Sequence, residues 1–517
     1  MKMTRYRNFL FVLCLALLTA SAGGEAEVTG KQERKEDQNS LRKPWIAHDM
    51  GHLRLSGGEL SIEKFLPVPA EAYTGRRTTA PPSRLVTEQV RVSSDLLARD
   101  TFAQPETQAE PHLHANPSNP NNLLAGWQEN RFANGGARAL GYAASFDGGQ
   151  TWTEGLLPQM TVASGGPWEK ASDPWVAFGP ANRAYFASLI FNQSTPDNAI
   201  GVSTSTDGGR SWGPPVEVAR SNNGDFNDKE AVTVDTYASS PFSGNVYVAW
   251  DVNVFVNNGV TAQRLVVARS TNGGVTYEQP VTVRNKGANI GVIPRVGPDG
   301  TVYLIWDGGG IQRNKLKIFF SKSTDGGLSW TPKKKLGKIN SIDVTGIRAG
   351  EFLTSFDIDP ITGHLYVAWQ DKKNIGVNKA NLIISRDGGA NWSDPLRVGD
   401  GPDDAPEFTV SVAVNRSGEV AVSYYSLRND PARAFLADKY LSISRDGGNS
   451  FEPAIRVTPT SFDIRFAATA SGGFFLGDYS GLTGTDDGFH LLWVSPQRPS
   501  ILNPSAMQPD VFTSFAQ

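Results

Sequence analysis

Cysteine is almost absent from this sequence: of 517 residues only Cys14 carries a thiol, and it lies inside an apolar run near the amino terminus. Disulfides, cysteine-based metal sites and thiol nucleophiles are therefore excluded for the rest of the chain. Long hydrophobic stretches are lacking too. The run from Phe9 to Leu18 is too short to span a bilayer; Lys2, Arg5 and Arg7 before it and Ala20-Ser21-Ala22 after it make residues 1–22 read as an export signal. Neither charge is in excess, with 49 Lys and Arg against 52 Asp and Glu, so no whole-chain attraction draws nucleic acid or anionic lipid. These absences predict a monomer without a membrane span, secreted or periplasmic after cleavage near Ala22.

Aromatic residues are plentiful, with 12 Trp, 13 Tyr and 26 Phe, and 53 Gly mark a turn-rich globular chain rather than a disordered one. Residues 23–84 are polar and proline-bearing and read as a flexible leader. Downstream the sequence repeats. Ser145-Phe-Asp-Gly-Gly-Gln-Thr-Trp152 returns at 205–212, 323–330 and 385–392, with weaker copies at 270–277, where Asn272 replaces the Asp, and at 444–451. An Asp that accepts backbone N–H groups, two glycines free to take positive φ and a closing aromatic are the parts of a hairpin turn, so these aspartates are structural. Short apolar runs recur in step with the octamers: Leu123–Trp127, Ala184–Ser188, Val246–Trp250, Val302–Trp306, Leu365–Trp369, Val420–Tyr424 and His490–Trp493. They read as strands covered on both faces.

Seven runs and six octamers predict an all-β chain of seven four-stranded units, with six as the alternative. The seventh unit would run out after Asp510–Ser514 and take its last strand from Leu85–Val92, hiding both sheet edges. The Ser-x-Asp-Gly-Gly-x-x-Trp copies resemble the Asp-box, or BNR, repeat of the sialidase-like β-propeller superfamily, over residues 85–517. That resemblance implies a β-propeller over this span with a funnel at its axis, and the unit count makes it seven-bladed, with six blades as the alternative, although sialidases usually have six.

At the starts of the predicted units lie Glu110-Pro-His112, Asp173-Pro-Trp175, Asp228-Lys229-Glu230, Pro294-Arg295, Glu351-Phe352, Glu407-Phe408 and Asp478-Tyr479. Six of the seven carry a carboxylate, as though in a registered ring, and crowded carboxylates either rise into general-acid range or call for a cation. The resemblance implies exo-glycoside hydrolysis of sialic acid or another acidic glycan, by an Asp acid/base, a Tyr nucleophile with a Glu base, and three arginines. On this sequence the roles fall to Asp173, Tyr479, Glu230 and, as one clamp, Arg295. The family's Phe/Tyr-Arg-Ile-Pro motif is absent, and Arg131, Arg313, Arg348, Arg428 and Arg465 are the other arginine candidates. Glu110, His112, Glu407, Arg428 and Asp478 are expected to bind substrate. No cofactor is required; the alternative is a non-catalytic glycan- or protein-binding propeller with Ca2+ held by Asp228 and Asp478. A lyase acting on uronates is a third reading.

Overall fold

The computed structural model describes residues 86–98, 103–256, 259–309, 316–350, 353–372, 375–497 and 509–517. The predicted signal and leader, and Glu351-Phe352, lie outside them. The described chain is all-β: its only helical elements are single 3-10 turns, among them Val162–Ser164 and Ile464–Phe466, and no helix is long and apolar enough to cross a membrane.

Strands pair antiparallel in consecutive groups of four. The first strands of these sheets are Gln108–Asn116, Lys170–Phe178, Phe226–Val234, Ala288–Val296, Ser355–Ile358, Glu407–Val414 and Gly481–Gly484. The predicted apolar runs form the second strands, and Trp127, Trp250, Trp306 and Trp493 on them are fully buried. Two of these indoles donate to asparagines of the neighbouring first strand, Trp250 to Asn227 at 2.8 Å and Trp306 to Asn289 at 3.0 Å. Those two buried N–H groups are thus satisfied within the sheet.

Each octamer joins a third strand to a fourth, as its turn chemistry predicts. In the first, Ser145 Oγ donates to Asp147 at 2.8 Å and accepts from Gly149 N at 2.8 Å, while Asp147 accepts from Thr151 N and Thr151 Oγ at 2.9 and 2.6 Å. These bonds hold Asp147 down at about 2. Asn272 keeps the geometry, accepting from Thr276 N at 3.0 Å. Glycine is required because each octamer presses on the preceding sheet: a Cβ on Gly274, at φ 86°, would lie 2.9 Å from the Tyr185 ring. The first octamer instead meets His490, on the last sheet.

That last sheet, Gly481–Gly484, Phe489–Pro496 and Pro509–Ala516, gains its fourth strand from Val90–Arg91, which pairs with Phe512 and Thr513. Of the expected strand 85–92, Val90–Arg91 form the paired strand and Val86 bridges Ala516, while Leu85 lies outside the described residues. First strands pack successively against one another, and Gly481–Gly484 packs against both Glu407–Val414 and Gln108–Asn116. A small separate sheet joins Ile347–Arg348, Gly473–Phe475 and Ala468–Ala470.

Candidate functional site

Five first strands carry the same irregularity. Between Ala109 and His112, Ser172 and Trp175, Asp228 and Ala231, Ile290 and Ile293, and Phe408 and Ser411, two residues oppose one on the second strand. The first residue of each bulge is left-handed: Glu110 at φ 53°, Asp173 at 54°, Lys229 at 45°, Gly291 at 69° and Thr409 at 51°. Such bulges re-aim a side chain out of the pleat. They also correct the expected ring. Glu110 and Asp173 are true equivalents, but the third position is Lys229 rather than Asp228 or Glu230, the fourth is Gly291 rather than Arg295, and the sixth is Thr409 rather than Glu407. Side chains alternate faces, so a slip of one residue sends a group elsewhere.

The site these bulges build is fully buried. Glu110 lies in the electrostatic field of Asp173, Asp478, Arg131 and Lys229. Gln128 ties this group together: its Nε2 donates to Glu110 and, at 2.9 Å, to Ser172 Oγ, and its Oε1 accepts from Arg131 at 2.6 Å. Arg131 and Arg348 both stand against the Phe475 ring, at 4.1 and 5.1 Å. Arg348 grips Asp478 through two N–H groups, one at 2.9 Å, whereas Nε and Nη2 of buried Arg131 have no hydrogen-bond partner. Burial, and then the charge of Asp173, hold both Glu110 and Glu230 well above the usual carboxylate range. Among the described residues, neither oxygen of Glu230 has a side-chain hydrogen-bond partner.

Tyr479 and Trp175 pack with ring centroids 5.5 Å apart, and the Lys229 ammonium lies over both, 4.0 and 4.6 Å from their centroids. The phenol donates to the Pro174 carbonyl at 3.2 Å, and burial raises it far above its ordinary value. His112 stacks on Trp175 at 3.9 Å and accepts from Val176 N at Nδ1, which leaves its ring proton on Nε2. Below lies a cavity lined from all seven sheets, by His112, Trp175, Lys229, Ile293, Phe356, Val412 and Leu482 among others.

Of the expected residues, Asp173, Glu230, Tyr479, Glu110, His112 and Asp478 come together. Arg295 lines the same cavity deeper in, where its guanidinium pairs with Asp357 at 3.1 Å. Glu407 and Arg428 leave the group. They form their own cluster: Glu407 accepts from Ala380 N and Gly401 N, and Arg428 pairs with Asp400 at 2.7 Å over the Tyr440 ring. Every polar partner there is satisfied within the protein, so its work is to join neighbouring sheets. The proposed Ca2+ pair is also separated: Asp228 faces Asp251 and Glu230, while Asp478 is held by Arg348. No group of three or more acidic or His side chains among the described residues is arranged for a metal. Arg131 and Lys229, both missed as site residues in the first rank, follow from register: one closes the second strand, the other occupies the bulge.

No family model matches the chain, and no curated protein does. Solved structures that resemble it include the Hadza microbial sialidase Hz136, 14% identical over 90% of this chain and 99% of that one, with a TM-score of 0.43. The Penicillium chrysogenum α-L-arabinanase complexed with arabinobiose is 14% identical over 66% of this chain and 94% of that one, with a TM-score of 0.44. Trypanosoma rangeli sialidase is 12% identical over 83% of this chain and 60% of that one, with a TM-score of 0.43.

Proposed function

We propose that the chain is an exported, monomeric, seven-bladed β-propeller, closed by its amino-terminal strand, that hydrolyses glycosidic bonds of an acidic glycan such as a sialoside. Supporting the propeller are the succession of first strands, each against the next, and the seating of the first octamer on the last sheet. One observation carries the chemistry: Glu230, buried, held protonated and with no side-chain hydrogen-bond partner for either oxygen among the described residues, stands in the field of Asp173. A protonated carboxyl beside a second carboxyl group is the pairing that acid–base cleavage of a glycoside employs. Glu230 then donates the proton to the leaving oxygen, and Asp173 acts as base. The free N–H groups of Arg131 receive the sugar carboxylate.

This differs from the roles carried over from the resemblance. Tyr479 as nucleophile needs a partner to take its proton, yet its hydroxyl is directed at a backbone carbonyl and its phenolate is disfavoured by burial. Tyr479 is better suited to supporting Trp175 and Lys229.

The test is release of 4-methylumbelliferone from sialoside, uronide, arabinofuranoside and neutral hexoside conjugates by the chain lacking residues 1–22. Glu230→Gln and Asp173→Asn should each lower kcat by about 100-fold or more, with Tyr479→Phe affecting it by less than about tenfold. Folded protein that turns over none of the conjugates overturns the hydrolase reading; turnover lost in Tyr479→Phe but kept in Glu230→Gln restores the tyrosine mechanism.

A further inference from the structure

The cavity below the carboxylates holds a second constellation that glycoside cleavage does not use. Lys439, on the third strand Leu436–Ser444 of the sixth sheet, is fully buried, and its Nζ is in hydrogen-bonding contact with Ser480 Oγ at 2.7 Å. Its remaining neighbour is the face of Tyr425, 4.4 Å from the ring centroid. No carboxylate pairs with it among the described residues. Burial pushes this ammonium down to about 7, which makes its amine form accessible near neutrality.

Ser480 is also 3.2 Å from Ser411 Oγ, and Ser411 in turn donates to the Ser480 carbonyl at 2.7 Å. With the Ser411 proton committed to that carbonyl, the Ser480 hydroxyl is left to direct its own proton at an acceptor. Both serines line the cavity, together with His112, Lys229 and Arg295. His112, Lys229 and Arg295 thus give the cavity that Ser480 lines a wall bearing hydrogen-bond donors and two cations.

We infer that Ser480 and Lys439 form a nucleophile–base pair that accepts the acyl group of a short-chain O-acyl ester. Ser480 Oγ bonds to the acyl carbon as its proton passes to Lys439 Nζ; the ester C–O bond breaks and the departing alkoxide takes that proton. Water then attacks the acyl-serine, one of its protons returns through Lys439 to Ser480 Oγ, and the carboxylic acid leaves. The acyl group is small because Trp175, Phe356 and Tyr479 wall the cavity. Nothing in this argument draws on the glycosidase reading, and each can fail without the other.

The experiment treats the whole protein with p-nitrophenyl acetate and, separately, with a fluorophosphonate, and maps the adduct by peptide mass spectrometry. A single adduct on Ser480 is expected, with p-nitrophenolate release rising through about pH 7 and level above it, as the amine form accumulates. Ser480→Ala removes the adduct. Lys439→Met slows its formation by about 100-fold and abolishes the inflection, and Ser411→Ala slows it by less than about tenfold. Thermal melting of each variant separates lost chemistry from lost folding. The inference is overturned by the unmodified protein alone if no adduct forms on Ser480 between about pH 6 and 9, or if Lys439 itself is acylated. It is equally overturned if a folded Lys439→Met protein labels as fast as the parent.

Discussion

Removing the guanidinium of Arg348 tests how much of the site rests on one buried ion pair. Arg348 and Asp478 have side-chain exposures of 1% and 0%, and Nε of the arginine donates to Oδ1 at 2.9 Å while a second N–H meets Oδ2. In Arg348→Met the guanidinium that stands against Phe475 is lost, and the Asp478 carboxylate is left in a dry site. Breaking a buried pair from one side costs about 3–5 kcal/mol, because the stranded charge has lost both its solvent and its partner. Asp478 also lies in the field of Arg131, whose positive charge offsets part of that cost. The expected loss is therefore at the lower end, about 3 kcal/mol. Replacing both groups with apolar ones, Arg348→Met with Asp478→Leu, removes the stranded charge and should recover most of it. Urea unfolding followed by tryptophan fluorescence gives the difference from the shift in midpoint at constant slope. A loss below about 1 kcal/mol in Arg348→Met, or a double variant no more stable than that single one, would refute the reasoning.

Glu129, buried and bonded by Trp127 at 2.9 Å, is pushed up to about 8 by burial. A carboxyl raised in the folded state binds a proton that the unfolded chain has released, so its contribution is complete below about pH 4.5 and is lost as pH rises towards 8. By pH 7 this amounts to roughly 3 kcal/mol and by pH 8 to roughly 4, so Glu129→Gln should gain about 3–4 kcal/mol more at pH 8 than at pH 5; equal effects at both would sink it. The octamer aspartates have the opposite sign: Asp207 and Asp325 are held down at about 2, so their support is present above about pH 4 and fails as pH falls through 2. Asp147→Asn, which copies Asn272, should be neutral at pH 7 by thermal melting, whereas Asp147→Ala should cost about 1 kcal/mol. Thr409 is β-branched at φ 51°, and Thr409→Gly should gain up to about 1 kcal/mol from relieved strain, offset by its 3.2 Å bond to the Ala349 carbonyl. A loss above that in urea unfolding would show the bulge to be unstrained.

The strands were legible because their signals are local. Octamer spacing, the all-apolar second strands and the edge-like 85–92 run each depend on neighbours within a few residues, and the pairing of Val90–Arg91 with the last sheet follows from counting units. The site was legible only in part, since it depends on register. Glu110 and Asp173 were found because proline follows each and the two segments read alike. Glu407 was misjudged because a carboxylate two residues before its bulge looks, in sequence, like one at it. Arg131 and Arg348 have no motif; Arg348 enters through a small sheet that pairs Ile347–Arg348 in parallel with Phe474–Phe475, more than a hundred residues along the chain.

The repeated bulge lets one backbone conformation present different side chains to the site. A left-handed residue other than glycine costs about 1 kcal/mol or more, and such strain persists where the surrounding structure over-determines it. Here the determinant is the sheet itself: hydrogen-bonded pairs on either side of each bulge fix the backbone whatever the side chain, so glutamate, aspartate, lysine, glycine and threonine all occupy the same conformation. Only the side chain differs from sheet to sheet. Where it is ionisable, at Glu110, Asp173 and Lys229, the three groups fall within one another's field; at Gly291 no side chain enters at all. The charge composition of the site is thus set one sheet at a time, by the residue at positions whose backbone cost is already fixed.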